Sequence, residues 1–238
     1  MIPLFEKLYK TFFSREDNPA KAIPYKVHPA PPYHPIYFAK PSETFAVGYS
    51  PAEFKELTGV TYLPHLQFDS LSSLRQVRRQ CHYMIGDKTI SPSVKWLGIF
   101  FAKELAQGFV NDVHIRWIDE TIGYGVFASR RYNRGEYIGE YTGIVKKTGF
   151  FSENLNEFCF HYPTDNLFIH VHTIDPKYKG NEMRFMNHSN KPNCEAFVCY
   201  FDSLLHVCIR TIQTVEKGTE LTFDYGKDWW GDRSVQTI

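Results

Sequence analysis

Before residue 110 the apolar positions recur at helical spacing, interrupted by proline. Phe5, Leu8, Tyr9 and Phe12 fall three and four apart, so the first segment reads as an amphipathic helix. A short helix is marginal in water by itself, which favours docking on the protein body over a role in binding a partner, a second copy or a membrane surface. Pro29, Pro31, Pro32 and Pro35 fit neither a regular helix nor a central strand, so an extended strap is expected there. A proline-rich ligand for another protein is the weaker alternative. Ser50-Pro51-Ala52-Glu53 is a capping box with proline at the first helical position, and Gly59 stops that helix. Leu71, Leu74, Val77 and Cys81 mark a second helix flanked by Arg75, Arg78 and Arg79. Ser91-Pro92 opens a third, closed by Gly108, with Val94, Leu97, Phe101 and Leu105 facing inward.

After Val110 the period changes to two. Val113, Ile115 and Trp117 alternate with polar residues, and Phe168, His170 and His172 alternate with Ile169 and Val171. Phe197 to Phe201 and Leu205, Val207 and Ile209 give further strands, with glycines between the short runs. The fold class expected is therefore α+β. A mostly helical, proline-rich region spans residues 1–110, a strand-rich domain spans 111–228, and a short tail spans 229–238.

Composition narrows the function classes. The 238 residues carry a formal net charge of +1, which gives no field for a polyanion and no direct nucleic-acid site. The arginines of the second helix lack an accompanying aromatic or basic stripe and read as a solvated face. No run is apolar and long enough to span a membrane, and Met1 to Phe13 is too short and charged for a secretory signal. The 5 cysteines are odd in number and form no Cys-x-x-Cys pair, so a reducing compartment, cytoplasmic or nuclear, is expected. Delivery into a host cell by another secretion route would escape this test. Cys194, Cys199, His206 and Cys208 match no common zinc spacing, and His170 with His172 lacks a third ligand, so no metal site is expected.

Three short motifs could carry chemistry. Gly123-Tyr124-Gly125-Val126-Phe127 lets the backbone approach a ligand, but lacks the third glycine and helix of a dinucleotide fold. Arg184-Phe185-Met186-Asn187-His188-Ser189 puts donors and acceptors side by side. Glu220-Leu221-Thr222-Phe223-Asp224-Tyr225-Gly226 is an apolar strand ending in an acid, a tyrosine and a glycine. In this order, with Gly135-Glu136-Tyr137-Ile138-Gly139-Glu140-Tyr141-Thr142-Gly143, Ile174-Asp175, Gly180-Asn181 and Pro192-Asn193-Cys194 between them, the three resemble the SET-domain protein lysine methyltransferases. The resemblance covers 112–228 and leaves residues 1–110 unexplained. It is to the compact type, without flanking zinc clusters, that resembles bacterial members.

The resemblance implies a pseudoknotted, β-rich fold that binds S-adenosylmethionine on one face and admits a lysine from the other. Gly123, Tyr124 and Gly125 would offer backbone groups to the cofactor; Arg184, Asn187 and His188 would hold it. Tyr225 would be the catalytic tyrosine and also touch the cofactor. Phe223 stands where the family carries Phe or Tyr; phenylalanine leaves room for di- or trimethylation. Where the family often has a channel tyrosine, this chain has Phe158-Cys159-Phe160, with Tyr162 as a candidate substitute. Asn190 replaces a family cysteine and no cysteine follows Cys208, so Trp229 is expected to close the adenine end in place of a zinc cluster. The implied substrate is a histone tail or another basic protein. The alternatives are a SET-fold binding module without turnover and an N-terminal region that binds partners or forms a homodimer.

Overall fold

The computed structural model describes residues 22–25, 34–41, 43–148, 156–164 and 171–226, with the side chains of Thr148 and Val171 left aside. The segments expected around Phe5–Phe12, Pro29–Pro32, Phe168–His170 and Trp229 lie outside these residues.

Helix α1, Pro51–Thr58, starts at Ser50, whose hydroxyl accepts from the Glu53 N–H while the Glu53 carboxylate accepts from Ser50. It stops at Gly59, in the left-handed region at φ 73°. Helix α2, Leu71–Gly86, buries Leu74, Val77 and Cys81 of the expected stripe together with Met84, while Leu71 at its start is exposed. The third expected helix is two. Helix α3 (Pro92–Phe100) and helix α4 (Ala102–Gln107) meet at Phe101, and Gly108 ends the pair at φ 57°. Phe101 packs on Tyr137 and Phe197, with ring centroids 5.1 and 5.5 Å away. The inward spacing runs on across the break, so periodicity alone does not register it.

Before residue 110 the described residues form short strands as well as helices. Five such strands lie among these described residues: β1 (Ile23–Pro24), β2 (Ile36–Ala39), β3 (Val47–Tyr49), β4 (Thr61–Tyr62) and β5 (Gln67–Phe68). The later strands are β6 (Val113–Asp119), β7 (Gly123–Ala128), β8 (Tyr137–Glu140), β9 (Ile144–Thr148), β10 (Phe160–His161), β11 (Val171–Asp175), β12 (Lys179–Gly180), β13 (Asn187–His188), β14 (Cys194–Phe201), β15 (Leu204–Thr211) and β16 (Thr222–Phe223). The two sets interleave. The sheet orders are β1-β5-β9-β11-β10, β3-β2-β6-β7 and β14-β15-β8, with two-stranded pairs β12-β4 and β13-β16. Three of the contacts joining the sets, β2 to β6, β5 to β9 and β4 to β12, are parallel. Residues before 110 thus complete the sheets of the later part.

The main core unites α2 with the sheets through Phe68, Val77, Tyr132, Ile138, Val145, Tyr162, Ile174, Leu205 and Ile209. A second core of Ile36, Phe38, Phe54, Val60 and Ile115 packs against Tyr124 on β7 and Phe185. Two contacts fix these parts closely. Helix α3 is pressed onto β14 so tightly that a Cβ on Gly98 would lie 1.8 Å from the Tyr200 carbonyl oxygen. Glu140 and His206, both buried, meet at 2.6 Å, and the other ring nitrogen of His206 lies 3.1 Å from the Phe201 carbonyl. The five cysteines, all among the described residues, form no disulfide.

Gly98→Ala is expected to push α3 off β14 and cost about 3 kcal/mol. Gly86→Ala, at a helical position where an added Cβ meets nothing, is expected to be neutral or to stabilise by about 0.5–1 kcal/mol. Urea unfolding of the two variants against wild type checks this; equal midpoints would contradict the close contact.

Candidate active site

The site is built where β13 and β16 run side by side. They pair in parallel, Asn187 with Thr222 and His188 with Phe223. Asn193 locks the pair: its Nδ2 donates to the Glu220 carbonyl at 2.7 Å and its Oδ1 accepts the Thr222 N–H at 3.0 Å. The Ser189 N–H donates to the Phe223 carbonyl, extending the pairing by one bond. Residues far apart in sequence are thereby held within bonding distance, and the site divides around them.

On one side is a polar cradle. Asn187 Nδ2 donates to the Tyr124 carbonyl at 3.2 Å and to Glu220 Oε1 at 2.8 Å. Gly125 lies between them; a Cβ there would come within 2.7 Å of Glu220 Oε1 and of Ile118 Cδ1. A side chain at this position would have to push both of those side-chain ends aside, and that close approach is what the sequence motif signals. Burial raises the Glu220 carboxyl pKa, against the opposing hydrogen bond from Asn187 and the charge of Arg116. Tyr124 is set by the second core: its ring lies 4.8 Å from Phe38 and 6.2 Å from Phe185, and Phe185 lies 6.1 Å from Phe54. Arg184 stands beside the cradle. Its Nε donates to the Pro176 carbonyl at 3.1 Å, and its guanidinium lies between the rings of Phe158 and Phe185, at 4.2 and 4.5 Å.

On the other side is an aromatic wall. Tyr225 lies 5.0 Å from Phe223 and 5.5 Å from His188, and Phe223 lies 6.4 Å from Phe160 at 30° between planes. Tyr141 closes the row, 5.5 Å from Phe160. The Tyr225 hydroxyl donates to the Met186 carbonyl at 2.7 Å, and its backbone N–H donates to His188 Nδ1 at 3.2 Å. An Nδ1 that accepts leaves the proton on Nε2, which lies 3.0 Å from Asn190 Oδ1. Burial, then the charges of Glu220 and Glu157, push the Tyr225 phenol well above its ordinary pKa, so it stays a hydrogen-bond donor. Burial does the same for Tyr141, whose hydroxyl donates to the Phe158 carbonyl at 2.6 Å.

Tyr124, Gly125, Arg184, Asn187, His188, Phe223 and Tyr225 come together, with Gly123 at the start of β7 at φ 80°. Two expected channel residues differ. Tyr162 is fully buried, and its hydroxyl both donates to the Leu205 carbonyl at 2.7 Å and accepts the Leu205 N–H at 3.1 Å. It is a pillar of the core, and its hydroxyl is already engaged. The ring of Phe158 lies against Arg184, and Phe160 is the ring that faces Phe223. Tyr141, Phe160, Glu220 and Asn193 were not singled out from sequence. The two-residue spacing of Phe158 and Phe160 and the tyrosine beside Gly143 were the available signals.

The SET domain family model matches residues 123–226, the span that holds all of these groups. The chain carries a SET domain. It is 28% identical over 170 residues to histone-lysine N-methyltransferase mes-4 of Caenorhabditis elegans, over 63% of this chain and 18% of that protein. It is 33% identical over 109 residues to the putative histone-lysine N-methyltransferase ASHH4 of Arabidopsis thaliana, over 44% of this chain and 31% of that protein. A solved structure of KRYPTONITE in complex with mCHH DNA, an H3(1–15) peptide and SAH is similar at 26% identity and a TM-score of 0.41, over 48% of this chain and 23% of that one. The chain spans less than a third of the length of each of these proteins.

One group in the SET domain titrates in an unusual range. Glu182, in the 3-10 turn Glu182–Phe185, is buried and has an oxygen without a hydrogen-bond partner. Burial raises its pKa to about 7, against a hydrogen bond from Tyr62 on β4. A folded state that binds this proton more tightly than the unfolded chain gains stability in acid. That gain is complete below the unfolded value of about 4.3, declines as pH rises, and is gone above about 7; it amounts to roughly 4 kcal/mol. Glu182→Gln should remove this part of the slope in unfolding free energy between about pH 4 and 7. A slope identical to wild type would contradict the assignment.

Proposed function

We propose that the chain is a protein-lysine N-methyltransferase that uses S-adenosylmethionine, acts on a histone tail or another basic protein, and forms di- or trimethyl-lysine. The observation that carries this is the meeting, across the β13–β16 pair, of a polar cradle and a row of aromatic rings. The cradle suits a cofactor. Asn187 and Glu220 converge on Gly125, whose missing side chain lets these polar groups sit close to the β7 backbone, and Arg184 offers a cation for a carboxylate. The aromatic row suits a lysine chain, whose methylenes are apolar and whose nitrogen favours ring faces.

S-adenosylmethionine, when bound, supplies a methyl on a positively charged sulfur. The residues of this chain contribute position and electrostatics. Tyr141, Phe160, Phe223 and Tyr225 make a desolvated passage, which lowers the pKa of an entering lysine from about 10.4 and favours the neutral amine. Tyr225, kept protonated, directs its hydroxyl toward the Met186 carbonyl at the junction of the two sides. Its role is to orient the amine and the methyl in line, not to take a proton. Phe223 puts no hydroxyl beside the amine, which leaves space for nitrogen that already carries a methyl.

Radiolabelled S-adenosylmethionine with purified histones and a cell lysate tests the proposal. Label is expected on a protein with wild type. Tyr225→Phe is expected to lower transfer by roughly 100-fold or more while cofactor affinity stays within a few-fold. Cofactor binding without label on any protein would replace the enzyme with a binding module. Phe223→Tyr should shift the products toward monomethyl-lysine by mass spectrometry; a wild type that stops at monomethyl-lysine would contradict the assigned role of Phe223.

A further inference from the structure

Phe158 is fixed at both of its backbone polar groups by side chains. Its N–H donates to Asn156 Oδ1 at 3.0 Å, and its carbonyl accepts the Tyr141 hydroxyl at 2.6 Å. The Asn156 backbone carbonyl also accepts the Cys159 N–H at 3.2 Å, which closes the turn. Asn156 is itself anchored, since its Nδ2 donates to Asp175 Oδ1 at 3.0 Å. Asp175 is a firm anchor: Lys146 Nζ lies 2.7 Å from its other oxygen, both side chains are nearly buried, and the Lys177 N–H donates to Oδ1 at 2.9 Å. The next residue, Pro176, accepts from Arg184 Nε at 3.1 Å. One dipeptide, Asp175-Pro176, therefore holds both halves of a stack. Asp175 holds Phe158 through Asn156, Pro176 holds Arg184 directly, and ring and guanidinium meet at 4.2 Å.

We infer that Asn156 is a positioning residue that, acting through Phe158, sets the Arg184 guanidinium for the carboxylate end of the cofactor. The inference rests on the reading of the site as a methyltransferase. A guanidinium between two rings keeps one plane, so its free N–H groups point in fixed directions. If Phe158 is released, one face of that sandwich opens and Arg184 samples other rotamers, at a cost to binding. Asn156 touches neither cofactor nor lysine in this scheme. Its effect must pass through the Phe158 ring, and that dependence is what separates positioning from general stabilisation.

The test is a double-mutant cycle read by calorimetric titration of S-adenosylhomocysteine, which binds without turnover, with amide hydrogen exchange followed in parallel. Asn156→Ala and Phe158→Leu are each expected to weaken binding about three- to tenfold, and the double variant no more than the weaker-binding single variant, because both act on one stack. The Phe158 amide is expected to exchange at least tenfold faster in Asn156→Ala. Unchanged affinity in Asn156→Ala, or losses that multiply in the double variant, would overturn the positioning role even if the thermal midpoint falls. An unchanged Phe158 amide would overturn the staple itself. Should wild type bind no S-adenosylhomocysteine, the methyltransferase reading fails and takes the positioning role with it, while the exchange rates still decide whether Asn156 holds Phe158.

Discussion

The parallel pairing of Asn187-His188 with Thr222-Phe223 is the constraint on which the site depends. Each strand has only two residues, too few to stand alone. The pairing persists because side chains supply what a longer ladder would. Asn193 bonds to both Glu220 and Thr222, His188 accepts from the Tyr225 backbone, and the Tyr225 hydroxyl returns to Met186. Every one of these bonds joins the segment around 186–193 to the segment around 220–225. The same groups that define the site thus hold its two strands together. Substitutions here are expected to mix effects on stability with effects on chemistry, which is why the tests above separate binding from turnover.

The region before residue 110 takes part in this arrangement at one remove. Phe38 and Phe54 bear on Tyr124 and Phe185, Tyr62 reaches Glu182, and β4 pairs with β12 just ahead of the turn that carries Arg184. The polar cradle is therefore backed by aromatic residues that lie outside the stretch matched by the SET domain family, 123–226. The aromatic row relies on residues within it, namely Tyr141, Phe160, Phe223 and Tyr225. This division gives the helical and extended pieces of the first part a concrete role as the floor beneath the cradle.

What the sequence revealed follows from how local each feature is. The helix starts at Ser50 and Ser91 and the stops at Gly59 and Gly108 depend on a few neighbouring residues, and all four were legible. The break at Phe101 was not, because Leu97, Phe101 and Leu105 keep helical spacing across it. The strands before residue 110 have two to four residues each and carry no usable period; pairing with later strands, direct for β2, β4 and β5 and through these neighbours for β1 and β3, makes them strands. Tyr225, Asn187 and Gly125 were found through motif order. Tyr162 was misplaced because proximity in sequence to Phe158 does not say which way a hydroxyl points, and this one points to Leu205. Glu182 could not be anticipated, since a glutamate in a polar turn is ordinarily solvated. Its burial follows from the β4–β12 pairing and the packing of Tyr62.

The central claim is that cofactor and lysine approach one another across the β13–β16 pair at the Tyr225 hydroxyl. A crystal structure with S-adenosylhomocysteine and a lysine-bearing basic peptide tests it most directly. The account predicts the cofactor against Gly125, Asn187 and Arg184, with the lysine chain between Tyr141, Phe160, Phe223 and Tyr225 and its nitrogen facing the sulfur. A cofactor bound elsewhere, or a lysine outside that aromatic row, would contradict it.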